Sequence, residues 1–234
     1  MEADVLCIQA CTQAPVMDLE DTAKVLGLPL NKVRIIPSAA GGGFGAKLDV
    51  TLQPLLGLAV LKTGMPCRMV FSRRESMQAS TKRHPGSMQA SIGADAGGKV
   101  VAMTFHGDFN TGAYASWGPT VATRVPVHAS GPYLTPNYRA TSRAVHTNGP
   151  TSGAFRGFGV PQAAITQESL YDDLAQKCGI DRLEFRRINA LRGGDVRAVH
   201  VVQQPADLGA ALRRGEYPVD QKRGDGLHGV YHIV

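Results

Sequence analysis

Apolar residues along the first part of the chain recur with periods that predict alternating strands and helices. Short apolar and β-branched runs predict strands at 5–12, 33–36 and 68–71. Apolar residues at helical spacing predict helices from Pro15 to Leu26 and over 52–61. Gly27 and Gly64 follow these two helices, and glycine is common just beyond a helix C-terminus.

The remainder of the chain reads as a hairpin, a long loop, a strand and two more helices. Strands at 87–94 and 99–109 flank the turn Asp95-Ala96-Gly97-Gly98. The pattern then predicts a strand at 138–146, a helix starting at Pro161, and a last helix capped by Asp181 and Glu184. Polar residues at 72–86 and Gly, Pro and Ser at 110–137 predict irregular structure, and so long a loop is usually functional.

These elements predict an α+β fold, a mixed sheet with packed helices. We expect residues 1–195 to form one domain. From Val196 on, the pattern of the preceding chain is not continued. Residues 196–234 are therefore interpreted as an atypical C-terminal tail, foreign to the fold, with an ordinary extension as the alternative.

A glycine loop, Gly41-Gly42-Gly43-Phe44-Gly45-Ala46-Lys47, joins the strand at 33–36 to the helix at 52–61. Such a loop brings bare amide groups close to a ligand. It is not a phosphate loop, because Ala46 precedes the lysine and Leu48 follows it. Gly41-x-Gly43-x-x-Ala46 fits a dinucleotide fingerprint, but 64–71 lacks the expected acid. A nucleotide, a purely structural turn and a different cofactor all stay open at this point.

Composition and charge narrow the class of protein. The net charge of +6 comes from scattered Lys and Arg residues, so we expect no nucleic-acid binding. No signal peptide and no apolar run of about 20 residues is present, so we expect a soluble, cytoplasmic protein without a membrane segment. The four cysteines lack zinc spacing; Cys7 and Cys11 either share a metal or are small residues in a reducing compartment.

Several segments, in this order, resemble the molybdenum-binding subunit of the xanthine dehydrogenase / aldehyde oxidase family of molybdenum hydroxylases. They are Thr12-Gln13, the glycine loop, Thr111-Gly112-Ala113-Tyr114, the second loop Gly153-Ala154-Phe155-Arg156-Gly157-Phe158-Gly159-Val160-Pro161-Gln162, and the run from Glu168 to Asn189. The likeness covers roughly residues 5–195. It resembles the first molybdopterin-binding domain of that subunit alone.

The resemblance implies that the chain binds a molybdenum–molybdopterin cofactor, with the cytosine dinucleotide form as one option. The residues implied to bind the cofactor are Gln13, Gly43, Phe44, Gly45, Phe155 and Arg156. Gln13, Phe44 and Arg156 would surround the molybdenum without ligating it directly. An amide suits this place because it donates a hydrogen bond without adding charge to an anionic centre.

The same resemblance implies a small-molecule substrate held by Leu48, Arg124 and Phe158. Arg124 matches an arginine that orients the substrate in purine-oxidising members. Leu48 is a departure, because xanthine oxidisers carry a glutamate there. We therefore expect oxidation of another purine or N-heterocycle, with an aldehyde as the alternative.

A second departure concerns the catalytic base. The family's glutamate lies in a Gly-x-Gly-Glu stretch, and the 234 residues contain none. We therefore predict no catalytic residue within the chain and no activity of the chain alone. Its expected partners are the remaining half of the molybdenum-binding subunit and subunits carrying 2Fe–2S centres and FAD. An inactive remnant, at most a protein-binding domain, is the competing hypothesis, and the sequence does not indicate the oligomeric state.

Overall fold

The computed structural model describes residues 4–193 and Asp195, and the backbone of two further strands. The helices and strands follow in this order: β1 (Leu6–Ala10), α1 (Pro15–Leu26), a short 3-10 turn (Leu30–Lys32), β2 (Val33–Pro37), α2 (Gln53–Thr63), α3 (Arg73–Ala79), β3 (Gly86–Ala94), β4 (Val100–Gly112), α4 (Gly118–His128), β5 (Asn137–His146), α5 (Val160–Lys177), α6 (Arg182–Asn189), β6 (His200–Val201) and β7 (Leu227–Ile233). This mixture confirms the predicted α+β class. Apart from the backbone of β6 and β7, the predicted tail lies outside the described residues, and its boundary stays a prediction.

The chain divides into two compact units. The first comprises Met1–Arg83, Thr111–Trp117 and His146–Arg156, and the second comprises His84–Asn110, Gly118–Val145 and Gly157–Val234. The second glycine loop is thus shared between the units, with the break after Arg156.

In the first unit, β1 and β2 form a parallel pair in which Leu6 lies opposite Val33. Helices α1 and α2 pack with this pair. The approach is close at Gly57 on α2, where an added Cβ would lie 2.6 Å from Leu26 Cδ1 and 3.0 Å from Leu6 Cδ2. A larger residue at position 57 would require the side chains of Leu26 and Leu6 to shift.

In the second unit, the described strands form a sheet in the order β6-β5-β4-β3-β7. Helix α5 packs on β3, and α4 and α6 pack on α5. Tyr171 of α5 is fully buried, with its ring stacked on Tyr133 at 4.3 Å and edge-on to Phe185 at 5.4 Å. These aromatic contacts hold α5 and α6 together in the core of the unit.

A single buried amide fastens the end of α6 to the β3–β4 hairpin. Asn189 accepts the N–H of Val100 at 2.8 Å and donates to the carbonyl oxygens of Gly98 at 2.8 Å and Phe185 at 2.9 Å. Val100, Gly98 and Phe185 are all buried, so losing these hydrogen bonds would be costly. Asn189 therefore links strand and helix at one point.

Three predictions are wrong: the strand at 68–71 and the irregular structure at 72–86 and at 110–137. Residues 68–71 do not form a strand; Val70 is 72 % exposed and no neighbouring strand pairs with this run among the described residues. The polar segment 72–86 contains α3, which begins with a capping box between Ser72 and Glu75. That Ser-x-x-Glu spacing was visible in the sequence.

The long loop predicted at 110–137 contains helix α4. Val121, Ala122 and Val125 are buried at helical spacing on this helix. Pro126 lies inside the helix, two residues before its end, where it cannot donate the usual hydrogen bond to the carbonyl four residues earlier. Its own carbonyl accepts a hydrogen bond from the hydroxyl of Tyr138 at 2.5 Å. The high Gly and Pro content of the segment concealed this short buried stripe.

None of the described helices combines the length and the apolar character required to cross a membrane. None of the four described cysteines, Cys7, Cys11, Cys67 and Cys178, forms a disulfide.

Candidate functional site

The first glycine loop follows β2 in the first unit and has a left-handed backbone at several positions. φ is +107° at Gly42, +52° at Phe44 and +92° at Gly45. A Cβ at Gly42 would lie 2.4 Å from Phe44 Cε2, so the phenylalanine ring folds over this glycine. The ring is nevertheless 61 % exposed. The loop therefore presents an aromatic surface on a backbone that only glycines on either side permit.

Gln13 is bound into this loop through both its backbone and its side chain. Its N–H donates to the Lys47 carbonyl oxygen at 3.1 Å, and its Oε1 accepts the N–H of Gly45 at 3.1 Å. A Cβ at Gly43 would lie 2.3 Å from the same Oε1. Because Oε1 is fixed as the acceptor, Nε2 is fixed as an exposed donor, and within residues 4–193 it has no hydrogen-bond partner.

Lys47 stabilises the segment that contains Gln13 through both its backbone and its side chain. Its backbone oxygen accepts from Gln13, and its Nζ donates to Cys11 Sγ at 3.0 Å. The sequence pattern placed Lys47 in the loop but indicated no partner for it. The pairing with Cys11 joins residues 36 positions apart, which no local pattern reveals.

The second loop meets the first at Ala154. A Cβ at Gly45 would lie 2.7 Å from the carbonyl carbon and oxygen of Ala154. The guanidinium carbon of Arg156 lies 5.4 Å from the centre of the Phe44 ring, within the range of a cation–π contact. The structure thus brings the predicted residues Gln13, Phe44 and Arg156 into one region of the first unit, together with the glycines between them.

Arg83 contacts the second loop and was missed by sequence reasoning. Its Nη2 donates to the backbone oxygen of Arg156 at 2.7 Å, and its guanidinium lies 4.5 Å from the centre of the Phe155 ring. Partial burial lowers the pKa of Arg83. The residue lies in the segment predicted as irregular, 73 positions away from Arg156, and the sequence carries no signal for this contact.

Leu48 and Asp49 follow the first loop. Leu48 is half-buried, and its N–H donates to the Gly45 oxygen at 3.4 Å. Both carboxylate oxygens of Asp49 accept from the hydroxyl of Ser116, at 3.1 and 3.0 Å. Burial raises the pKa of Asp49, the Ser116 hydrogen bond opposes this, and the charges of Asp21 and Asp18 raise it further.

The second unit holds the two remaining predicted residues, Arg124 and Phe158. Arg124 projects from α4, and its guanidinium carbon lies 5.1 Å from the centre of the Phe158 ring. Phe158 has φ of +47°. The adjacent Gly159 is buried, and a Cβ there would lie 3.0 Å from Val125 Cγ2. The two residues therefore form a pair at the start of α5.

The donors of the first unit suit an anionic group. Within residues 4–193, neither Arg83 nor Arg156 forms a salt bridge. The same part of the chain contains no cluster of three or more His, Cys, Asp or Glu side chains placed to ligate a metal. The two guanidinium groups therefore keep donors that could bind an anionic ligand.

The chain is similar in sequence to known proteins over most of its length. Residues 1–190 match the family model described as the molybdopterin cofactor-binding domain. The chain is 45 % identical over 190 residues to the nicotinate dehydrogenase large molybdopterin subunit of Eubacterium barkeri, covering 81 % of this chain and 45 % of that protein. It is 34 % identical over 191 residues to the xanthine dehydrogenase molybdenum-binding subunit of Escherichia coli O157:H7, covering 81 % of this chain and 25 % of the relative.

A solved structure shows the same arrangement of elements. The aldehyde oxidoreductase of Desulfovibrio desulfuricans superposes with a TM-score of 0.80 at 31 % identity, over 84 % of this chain and 22 % of that one. The chain spans less than half the length of each of these three proteins.

Proposed function

Because the chain belongs to the family of molybdopterin cofactor-binding domains, we propose that it supplies one side of the cofactor site of a molybdenum hydroxylase. The observation that carries this proposal is the link between Gln13 and the glycine loop. It leaves the neutral NH₂ end of the Gln13 amide exposed beside the glycine loop. The enzyme would be complete only with further polypeptide, in keeping with the share of its relatives that the chain spans.

The residues present fit molybdopterin. Gly43 lets the first loop approach the Gln13 amide, and Gly45 lets it approach the Ala154 carbonyl, because a Cβ at either position would clash with these groups. Gln13 Nε2 would donate a hydrogen bond to an oxygen of the cofactor without adding charge. The Arg156 guanidinium would donate hydrogen bonds to oxygen atoms of the pterin. Phe44 would pack beside the metal centre with its exposed ring.

Bound molybdopterin supplies a redox-active molybdenum centre at which a substrate carbon is hydroxylated with oxygen derived from water. The residues of this chain would bind and orient. Phe158 would offer an aromatic surface to a flat substrate, and stacking contributes about 1 kcal/mol per ring beyond burial. Phe155 would contact the cofactor. Arg124, in contact with Phe158, would stabilise negative charge that develops on the substrate.

An N-heterocycle is the substrate class that we favour. Leu48 provides no acid to hydrogen-bond a purine such as xanthine, and the carboxylate of the neighbouring Asp49 is engaged by Ser116. A relative that is 45 % identical is a nicotinate dehydrogenase subunit, which supports a pyridine-type ring. Aldehyde oxidation is the second candidate, favoured by the likeness to an aldehyde oxidoreductase structure.

Electrons would leave through 2Fe–2S and FAD groups on partner subunits, and the missing half of the site would come from a further polypeptide. The cytosine dinucleotide form is one option for the cofactor. We expect the protein to act in the cytoplasm. Alone, the chain would be inactive, because it lacks the family's glutamate base. The competing proposal is an inactive protein-binding domain.

Co-expression with the products of neighbouring genes would test the activity. The purified assembly would be offered nicotinate, xanthine and benzaldehyde with an artificial electron acceptor. We expect turnover of nicotinate well above that of xanthine, and a lower kcat with unchanged molybdenum content for Arg124→Ala. An assembly that carries molybdenum but turns over only benzaldehyde would move the proposal to the second candidate, and an equal rate for Arg124→Ala would remove Arg124 from the site.

A further inference from the structure

Arg83 reaches two neighbouring residues of the second loop at once. Its Nη2 donates a hydrogen bond to the backbone oxygen of Arg156 at 2.7 Å. Its guanidinium carbon lies 4.5 Å from the centre of the Phe155 ring. A planar, multi-donor group can make both contacts together, whereas a lysine ammonium offers a single point charge. The guanidinium thereby fixes the backbone position of one residue and the ring of the other.

The segment that precedes Arg83 runs beside the second loop and is hydrogen-bonded to it. Lys82 N–H donates to the Thr151 oxygen at 3.1 Å, and Gly153 N–H donates to the Lys82 oxygen at 3.0 Å. The approach is tight, because a Cβ at Gly153 would lie 2.9 Å from Thr81 Cβ. Arg83 is therefore held in register with the loop by its own backbone neighbours.

The opposite side of this loop lies against the first glycine loop, through Gly45 and the Ala154 carbonyl. Residues 153–156 are thus held between two segments. Ala154 is fully buried, whereas Phe155 is 38 % exposed. With one face of the Phe155 ring under Arg83, the exposed part of the ring and the Arg156 side chain are the groups left available to a ligand.

We propose that Arg83 is a positioning residue that holds Phe155 and Arg156 in the geometry in which they meet cofactor and substrate. This inference rests on the proposed function for its biological meaning, and its structural part can be tested without the cofactor. Arg83 itself would not touch the reacting atoms.

The first test uses the full chain without cofactor. Its seven phenylalanines would be replaced by 4-fluorophenylalanine, and the Phe155 resonance would be assigned from Phe155→Leu. Arg83→Met is expected to shift this resonance and to speed amide exchange across 153–158 at least tenfold. Arg83→Lys should restore exchange protection in part and leave the resonance shifted. Arg74→Met, which removes an exposed arginine of α3, should change neither. An unmoved resonance with unchanged exchange in Arg83→Met would overturn the inference.

The second test uses the assembly loaded with cofactor, with nicotinate as the substrate probe. Arg83→Met should lower molybdenum retention and raise KM for nicotinate more than it lowers kcat, whereas Arg74→Met stays at the wild-type values. Normal metal content and normal KM in Arg83→Met would refute the positioning role, even if the first test shows the contact. A wild-type assembly without any molybdenum would overturn the proposed function and the role of Arg83 in it, while the fluorine signal would still report the contact itself.

Discussion

The backbone N–H of Gly45 donates to Gln13 Oε1 at 3.1 Å, and this single hydrogen bond sets the chemistry of the candidate site. The bond identifies which end of the Gln13 amide faces the loop and leaves the NH₂ end exposed as a donor. It also explains the glycine at position 43, where a Cβ would lie 2.3 Å from the same oxygen. In the proposed cofactor site, the orientation of the Gln13 donor and the conformation of the loop therefore depend on one another.

Replacing Gly45 with alanine tests the close approach of the two loops. The added Cβ would lie 2.7 Å from the Ala154 carbonyl, at a φ of +92°. Backbone strain and overpacking together should lower the free energy of unfolding by about 3 kcal/mol. Urea unfolding of the purified chain measures this change.

Gly41→Ala is the matched control, because a Cβ at Gly41 meets nothing within 4 Å. Its effect should stay within about 0.5 kcal/mol. Equal stability of the two variants would show that the loops do not approach each other as described.

Gln13→Glu tests the donor. The glutamate keeps an oxygen for the Gly45 N–H but replaces the exposed NH₂ with a second oxygen that carries negative charge. We expect cofactor affinity to fall at least about tenfold, which corresponds to 1.4 kcal/mol, with little change in folding stability. Molybdenum retained after dialysis, measured beside an unfolding curve, separates the two effects. Full retention by the glutamate variant would exclude Gln13 Nε2 as a contact.

Asp49 should make the stability of the chain fall as the pH rises. Burial is the main cause that raises the folded-state pKa of Asp49 above its usual value of 3.8. Between these two pKa values the folded chain keeps a proton that the unfolded chain has lost, so folding is progressively less favoured as the pH increases through this window and remains so above it.

Asp49→Asn removes this dependence while retaining an acceptor for Ser116. The free energy of unfolding of the variant, relative to that of the wild type, should therefore be higher at about pH 7 than at about pH 4. Glu20→Gln, a change on the exposed side of α1, serves as the control. The same difference at both pH values would contradict the burial of the Asp49 carboxylate.

Asn189→Ala should destabilise the second unit strongly. The change leaves the Val100 N–H and the Gly98 and Phe185 carbonyl oxygens without their partner, at a cost of about 3 kcal/mol. Asn137→Ala, which removes one exposed hydrogen bond to the Val101 oxygen, should cost less than about 1 kcal/mol. Thermal unfolding of both variants decides the point, and similar midpoints would show that Asn189 does not fasten α6.

Elements with a strong local pattern were predictable from the sequence. The β3–β4 hairpin was indicated by two alternating runs around a glycine turn, and α1 by Pro15 at its start and Gly27 beyond its end; all three elements are present. The strand at 68–71 was wrong because strand propensity counts only where a neighbouring strand is available. Helix α4 was hidden because its few buried residues are diluted by glycine and proline.

The candidate site was predictable only as far as it is local in sequence. Glycines next to Phe44 and around Phe158 showed where the backbone would be bare. The partners that fix these loops, Arg83 on Arg156 and Lys47 on Cys11, are joined across 73 and 36 positions. Such contacts follow from the packing of the whole first unit, and no spacing rule contains them.

The metal content of the purified protein tests the central claim most directly. Molybdenum and pterin would be measured for the chain alone and for the chain co-produced with its genomic neighbours, in wild type and in Arg156→Met. We predict close to one molybdenum per chain in the co-produced wild-type assembly and substantially less in the variant. A folded, fully assembled wild-type complex without molybdenum or pterin would contradict the proposal that these loops bind molybdopterin.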